Sequence, residues 1–392
     1  MKNTRRAFIR QTGMAGFLLG TGSIGNSMNG ILHSNSPAAP FAFMSPVDGD
    51  MLCSYDGEVT PGGLKIHVTI TGPAGLSLSV NGKGAGYKDG RYNADILLGD
   101  YRNTIEVKEV NSDKRQSIVV FWLKNYAGKY RLSLDDNIWF LKDIADHADV
   151  YRSIFENPYL GFFRQVHELY GTKVHFNLYY QTEGFNLSEF PDKYKGEWKD
   201  NAGWLRLSFH ALQNDPDMPY KNAGYDTVKK DCELVMDQIR RFAGEELMDQ
   251  VTTLHWGEAT VEGCRALRDS GYTALAGYFN LEKEPVSYYL EGEQRKHLNQ
   301  RFIWRDNREG IIFNRIALVI NTIPLEQVVP FLDGLRSGSR KPAYVDLMIH
   351  EQYFYPFYRD YQPDYGQKVL SSVKWAEENG YKPAFLSECI FS

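Results

Sequence analysis

The chain has 392 residues, 43% apolar and 24% charged, a globular balance that excludes wholesale disorder and leaves room for two or three domains. Its net charge is -5, and the first 38 residues carry Lys2, Arg5, Arg6 and Arg10 but no acid, so the remainder is more acidic still; with no Lys/Arg run, nucleic acid is excluded as a partner. Cys53, Cys232, Cys264 and Cys389 are too scattered for a metal knuckle or a disulfide framework.

At the N-terminus, Thr4-Arg5-Arg6-Ala7-Phe8-Ile9-Arg10 precedes a weakly apolar stretch from Met14 to Ile24 and small residues near Ser36-Pro37-Ala38-Ala39. That stretch is far short of the roughly 20 apolar residues a membrane span needs. It resembles the twin-arginine export signal. The resemblance implies a bacterial protein exported after folding, to the periplasm or cell surface, with 1–38 as the signal. No later segment is apolar enough to span a membrane.

Residues 45–127 alternate apolar and polar in short runs. Examples are Leu64-Lys65-Ile66-His67-Val68, Leu76-Ser77-Leu78-Ser79-Val80 and Thr104-Ile105-Glu106-Val107. Turn signals such as Pro61-Gly62-Gly63, Gly72-Pro73 and Asn81-Gly82 separate them. Short strands with frequent turns predict a β-sandwich. It is similar to the immunoglobulin-like modules that precede catalytic domains in exported carbohydrate enzymes.

From Gly128 to the end, strand-like runs alternate with helical periods. The runs are 130–134, 173–180, 204–209, 251–254, 273–279, 316–321, 344–349 and 383–387. Helices are predicted over 226–243, 259–270 and 367–379, and each ends at a glycine: Gly244, Gly271 and Gly380. Alternation over 128–392 predicts one distorted parallel (β/α) barrel. The whole is therefore multidomain α/β, a sandwich followed by a barrel.

Polar residues concentrate at the strand ends, where parallel barrels carry their chemistry. Leu132-Ser133-Leu134 runs into Asp135-Asp136-Asn137. The run 204–209 ends at His210, and 251–254 at His255-Trp256-Gly257-Glu258. The run 344–349 ends at His350-Glu351, and the last at Ser387-Glu388. A helix N-cap is the simplest other use of Asp135 or Asp136. Two adjacent carboxylates repel, however, and suit a mouth where one binds a metal and the other acts as base. Aromatic clusters follow two of these strands: Tyr179, Tyr180, Phe185, Phe190, Tyr194 and Trp198, then Tyr353 to Tyr358 and Tyr361. Aromatics make up 14% of the chain, and these clusters predict a wall for stacking sugar rings.

In order and spacing these strand ends resemble the motifs of the polysaccharide deacetylase family, the NodB homology group. That resemblance implies Asp135 as general base and Asp136 as metal ligand. His210 begins the family's His-x-x-x-His element, with Asn214 at the second ligand position. His255-Trp256-Gly257-Glu258 stands where the family has an Arg-Pro-Pro-Tyr-Gly turn; because the third and fourth strands would be neighbours, His255 is expected as a third ligand. His350 takes the place of the general acid, with Glu351 where Asp is usual. The implied cofactor is a divalent metal such as zinc, and the implied substrate is an acetylated carbohydrate. Trp256, Glu258, Glu351, Tyr353, Tyr180 and Glu388 are expected to contact it, and no protein partner is expected. Two other functions fit the same residues: a glycosidase using Asp135 or Asp136 with Glu258, Glu351 or Glu388, and a glycan-binding protein that has lost catalysis.

Overall fold

The computed structural model describes residues 39–279, 287–338 and 341–391, so the export-signal segment lies outside the described residues. The protein is a mixed α/β molecule of two compact units. The described residues of one are 39–127 with Ile303–Gly310 and 388–391; those of the other fall in Gly128–Phe302 and Ile311–Ser387.

In the smaller unit two five-stranded sheets enclose one apolar cluster. The strand Gly63–Thr71 shows how sequence dictates this. Its alternate residues Leu64, Ile66, Val68 and Ile70 are buried, while Lys65 and His67 are exposed. Its register sets Leu64 against Leu98, Ile66 against Ile96 and Val68 against Ala94, so both strands present apolar residues to one face. Ile105, Val107, Ile118 and Val120 from the second sheet complete the cluster. Each such side chain contributes roughly 1.5–3 kcal/mol by leaving water.

The larger unit is built on parallel strands. One sheet runs in the order Leu205–Ala211, Val174–Tyr179, Lys129–Asn137, Tyr344–His350, Leu318–Val319, and Lys382–Pro383 also pairs with Lys129–Asn137. A second contains Val251–Thr252, Ala274–Gly277 and Ile311–Arg315 in that order. The Ser208 hydroxyl donates to the Val251 carbonyl at 2.9 Å along one seam between them. At the other, the Ile316 amide donates to Gly277 at 2.7 Å and the Ala317 amide to Asp346 at 2.8 Å. The strand Ile311–Arg315 was absent from the sequence reading.

Helices follow the strands for local reasons. Pro158–Tyr170 begins where the Asn157 side chain accepts from the Leu160 amide, with Pro158 in its first turn, and ends at Gly171 in the left-handed conformation. Tyr225–Phe242 buries Val228, Cys232, Val235, Met236, Ile239 and Phe242 on one face. Among the described residues no helix is long and apolar enough to cross a membrane.

The buried strands are not uniformly apolar. In Lys129–Asn137 the residues Arg131, Ser133 and Asp135 share one face, and Leu132 and Leu134 the other; all five are buried. His175, Asn177 and Tyr179 repeat the pattern in the neighbouring strand. Toward the strands' N-terminal ends this polar face closes on itself. Arg131 binds Asp346 through two hydrogen bonds of 3.0 Å and meets His175 Nδ1 at 2.9 Å. Asn314 donates to Asp346 at 2.9 Å.

Candidate metal and acid–base site

At the opposite, C-terminal ends of these strands the polar face opens into a cluster of unlike character. Two register irregularities build it. Leu134 pairs with Phe176, but the next partners are Asn137 and Leu178, so Lys129–Asn137 carries an extra residue at Asp135-Asp136. Leu178 pairs with Phe209 and Tyr179 with Ala211, so Leu205–Ala211 does the same at His210. Such bulges re-aim side chains. Asp136 has a left-handed backbone, φ 65°, as does Trp256 beside His255. Neither is glycine, and each such residue costs about 1–3 kcal/mol.

The result brings Asp136, His210 and His255 together, with one ligand-type atom of each within 4.8 Å of the others, all buried. His210 Nε2 lies 3.1 Å from Asp136 Oδ1. His255 Nδ1 lies 3.2 Å from that same oxygen and 3.2 Å from His210 Nε2. The outer ring nitrogens face main-chain carbonyls. His210 Nδ1 bonds Thr253, and His255 Nε2 donates to Asn214 at 3.0 Å. A carbonyl only accepts, so each ring places its N–H outward and its lone pair inward. Two imidazole lone pairs and a carboxylate oxygen thus converge in a buried space, the donor chemistry of a divalent metal such as zinc. The Tyr179 hydroxyl donates to Asp136 Oδ1 and lies 3.0 Å from His255 Nδ1.

Asp135 and His350 face each other in register on adjacent strands. Asp135 Oδ1 accepts from Asn177 at 2.7 Å. Burial pushes its carboxyl up to about 6, and the neighbouring Asp136 reinforces the shift. His350 Nδ1 donates to Asn321 Oδ1 at 2.9 Å, and its backbone amide donates to the same oxygen at 3.2 Å. That fixes the ring and leaves Nε2 as its other functional atom.

Of the other expected site residues, Asn214 and Trp256 stay beside His255, whereas Glu351 and Glu258 are engaged elsewhere. Asn214 holds His255 through its main chain, while its amide oxygen accepts from Gln352 at 3.3 Å. Glu351 is fully buried, and its oxygens accept from the amides of Ile138, Trp139 and Phe140 at 2.6, 3.0 and 2.6 Å. It caps the helix Trp139–Asp146 from the turn that follows the neighbouring strand Tyr344–His350, so neither Asp135 nor Asp136 serves as that cap. Burial pushes Glu351 up to about 7 against the pull of those three amides. Glu258 is buried and accepts from the Ser287 amide at 2.8 Å; burial also raises its carboxyl. The Trp256 ring meets that of His255 edge-on at 6.2 Å. Tyr180 is half-buried, Tyr353 is buried, and Glu388 is exposed and belongs to the smaller unit.

The expected aromatic wall divides. Phe185, Phe190, Tyr194 and Trp198 are buried and form a local core, with Phe190 packed on Phe242 at 4.7 Å. In the second cluster Phe357 is 73% exposed and lies 5.1 Å from Trp139, which also meets Tyr355 at 5.5 Å. No sequence pattern marks Trp139, Asn177, Asn321 or Gln352 as site residues, and Tyr179, expected in a stacking wall, instead donates to Asp136.

No family model matches the chain, and no curated protein matches it. Among solved structures it is similar to a 4-alpha-glucanotransferase from Thermococcus litoralis, at 13% identity and a TM-score of 0.44. That match covers 67% of this chain and 40% of the other, so the chain spans well under two thirds of that protein's length. It is also similar to a candidate alpha-galactosidase/melibiase from Bacteroides fragilis, at 11% identity and a TM-score of 0.26, covering 87% and 79% of the two chains.

Proposed function

We propose that the protein is a carbohydrate-active hydrolase, a metal-dependent deacetylase of N- or O-acetylated glycans, built as an immunoglobulin-like sandwich and a distorted (β/α) barrel of the polysaccharide deacetylase group. The observation that carries this reading is the convergence of Asp136, His210 and His255 beside the in-register pair Asp135 and His350. The two seams between the parallel sheets support the barrel, and the two sheets around one apolar cluster support the sandwich.

Asp136, His210 and His255 would hold the ion. A divalent ion in that position supplies Lewis acidity toward the acyl oxygen and acidifies water. Asp135 accepts the proton of the attacking water. Its raised carboxyl makes it a stronger base than an ordinary aspartate, yet ionised at neutral pH. Asn177 aims it. His350, held through Nδ1 by Asn321, gives a proton from Nε2 to the leaving amine or alkoxide. Acetate and the free sugar amine or hydroxyl are the products.

Acetylated oligosaccharides incubated with protein and zinc, cobalt, manganese or nickel should release acetate and no new reducing ends. Reducing ends without acetate, abolished by Glu258→Gln, would replace this reading with a glycosidase. Binding without turnover would leave a glycan-binding protein. The N-terminal pattern supports export by the twin-arginine route to the periplasm or cell surface. Replacing Arg5 and Arg6 by Lys should trap the protein in the cytoplasm.

A further inference from the structure

Beside the acid–base pair lies a cavity of about 310 Å³ that no step above uses. Asn321, Thr322, Pro324, Tyr353, Gln362 and Lys368 line it, with Tyr361, Pro363 and Asp364 among the other residues of its wall. Its volume is at the lower end for ligand pockets, roughly 300–1,000 Å³, which suits one small ring. Its lining combines flat faces, Tyr353 and Tyr361, with a small set of polar groups.

Those groups indicate the charge of the occupant. Lys368 is buried, and its ammonium donates to Gln362 Oε1 at 2.8 Å and lies 3.5 Å from Asp364. Lysine and aspartate together are neutral. Asp364 opposes an anion and Lys368 opposes a cation. A sugar ring meets both, because one hydroxyl donates to a carboxylate while its neighbour accepts from an ammonium. Its apolar faces match tyrosine rings.

Asn321 supplies a second, independent observation. Its Oδ1 must accept from the His350 backbone amide, which can only donate, so its Nδ2 is the opposite atom of the amide. That Nδ2 is buried and has no hydrogen-bond partner. An orphaned buried donor is costly and calls for a partner. Asn321 thus holds His350 and is also one of the residues of the cavity wall.

We propose that this cavity is a subsite for one neutral pyranose unit of the glycan, bound by Asp364, Lys368 and Tyr361, with Asn321 joining its wall to His350. This rests on the carbohydrate reading for its ligand class and not on deacetylation. The test is binding, by titration calorimetry and saturation-transfer NMR, of chitotriose, cellotriose, maltotriose and xylotriose to the full chain. At least one should bind, and Lys368→Met and Asp364→Asn should each weaken it tenfold or more. Tyr361→Ala, at a half-exposed position, should do the same and guards against misfolding of the buried variants. Melting temperatures establish that each variant is folded. Binding by none of the four sugars, or binding unchanged in all folded variants, overturns the subsite. Tighter binding of glucuronate or glucosamine than of glucose overturns its neutral character. Absence of acetate release with these binding losses intact would sink the deacetylase reading and leave the subsite standing.

Discussion

Two buried polar layers lie on the same strands of the larger unit, and they differ in completeness. Near the strands' N-terminal ends Arg131, His175, Asn314 and Asp346 satisfy one another: guanidinium meets carboxylate, and amide meets the same carboxylate. Near the C-terminal ends Asp136, His210 and His255 bring acceptors to within 3.2 Å of one another, on a backbone that is left-handed at Asp136 and Trp256. Equal burial thus serves opposite ends. A self-satisfied layer stabilises the fold, whereas a layer of converging lone pairs and strain is kept for something it binds.

Substitutions in the two layers should therefore differ sharply in cost. Asp346→Ala leaves the fully buried Arg131 charge unpaired and should destabilise by about 3–5 kcal/mol in denaturant unfolding. His255→Ala in metal-free protein should cost far less than a buried histidine ordinarily does, since it relieves a convergence. If the two losses are alike, the distinction between the layers fails. Asp135→Asn should lower turnover by about 10²–10⁴-fold while leaving metal content unchanged.

Glu351 gives the pH signature of a buried cap. Its carboxyl is raised from 4.5 to about 7, so the folded state binds more protons than the unfolded state between those values. Stability from this group is fully present below about pH 4.5 and is lost as pH rises toward 7, by about 3 kcal/mol in order of magnitude. Glu351→Gln should abolish that slope, so the stability of the parent relative to the variant should fall across this window. A difference independent of pH would mean that Glu351 titrates normally. The smallest effect is expected at Phe357, which is 73% exposed. Phe357→Ala should change stability by less than about 0.5 kcal/mol and show itself only as weaker glycan affinity.

How much of this was legible beforehand follows from what periodicity encodes. The strand runs ending at Asp135-Asp136, His210 and His350 stood out because apolar stretches stop there in polar residues. The helices expected at 226–243, 259–270 and 367–379 lie at Tyr225–Phe242, Val261–Asp269 and Tyr365–Glu378. Asn177 and Arg131 were hidden because a polar residue at period two in a strand reads as solvent-facing. Alternation inside runs buried on both faces, Arg131-Leu132-Ser133-Leu134 and His175-Phe176-Asn177-Leu178, was the signal of a polar interior. Asn321 and Glu351 act across more than 25 residues of sequence, on His350 and on Ile138 to Phe140, and no local pattern announces such partners. The burial of Phe185, Phe190, Tyr194 and Trp198 could not be told from a binding wall by composition, which records aromatic content and not its direction.

The central claim is that Asp136, His210 and His255 hold one divalent ion. Cobalt(II) titration of metal-free protein, followed by its visible d–d absorption, tests it most directly. One equivalent should bind per chain, with a spectrum of low coordination number, and Asp136→Ala, His210→Ala and His255→Ala should each abolish the tight phase. A titration of the parent chain indistinguishable from that of the three variants would contradict the account.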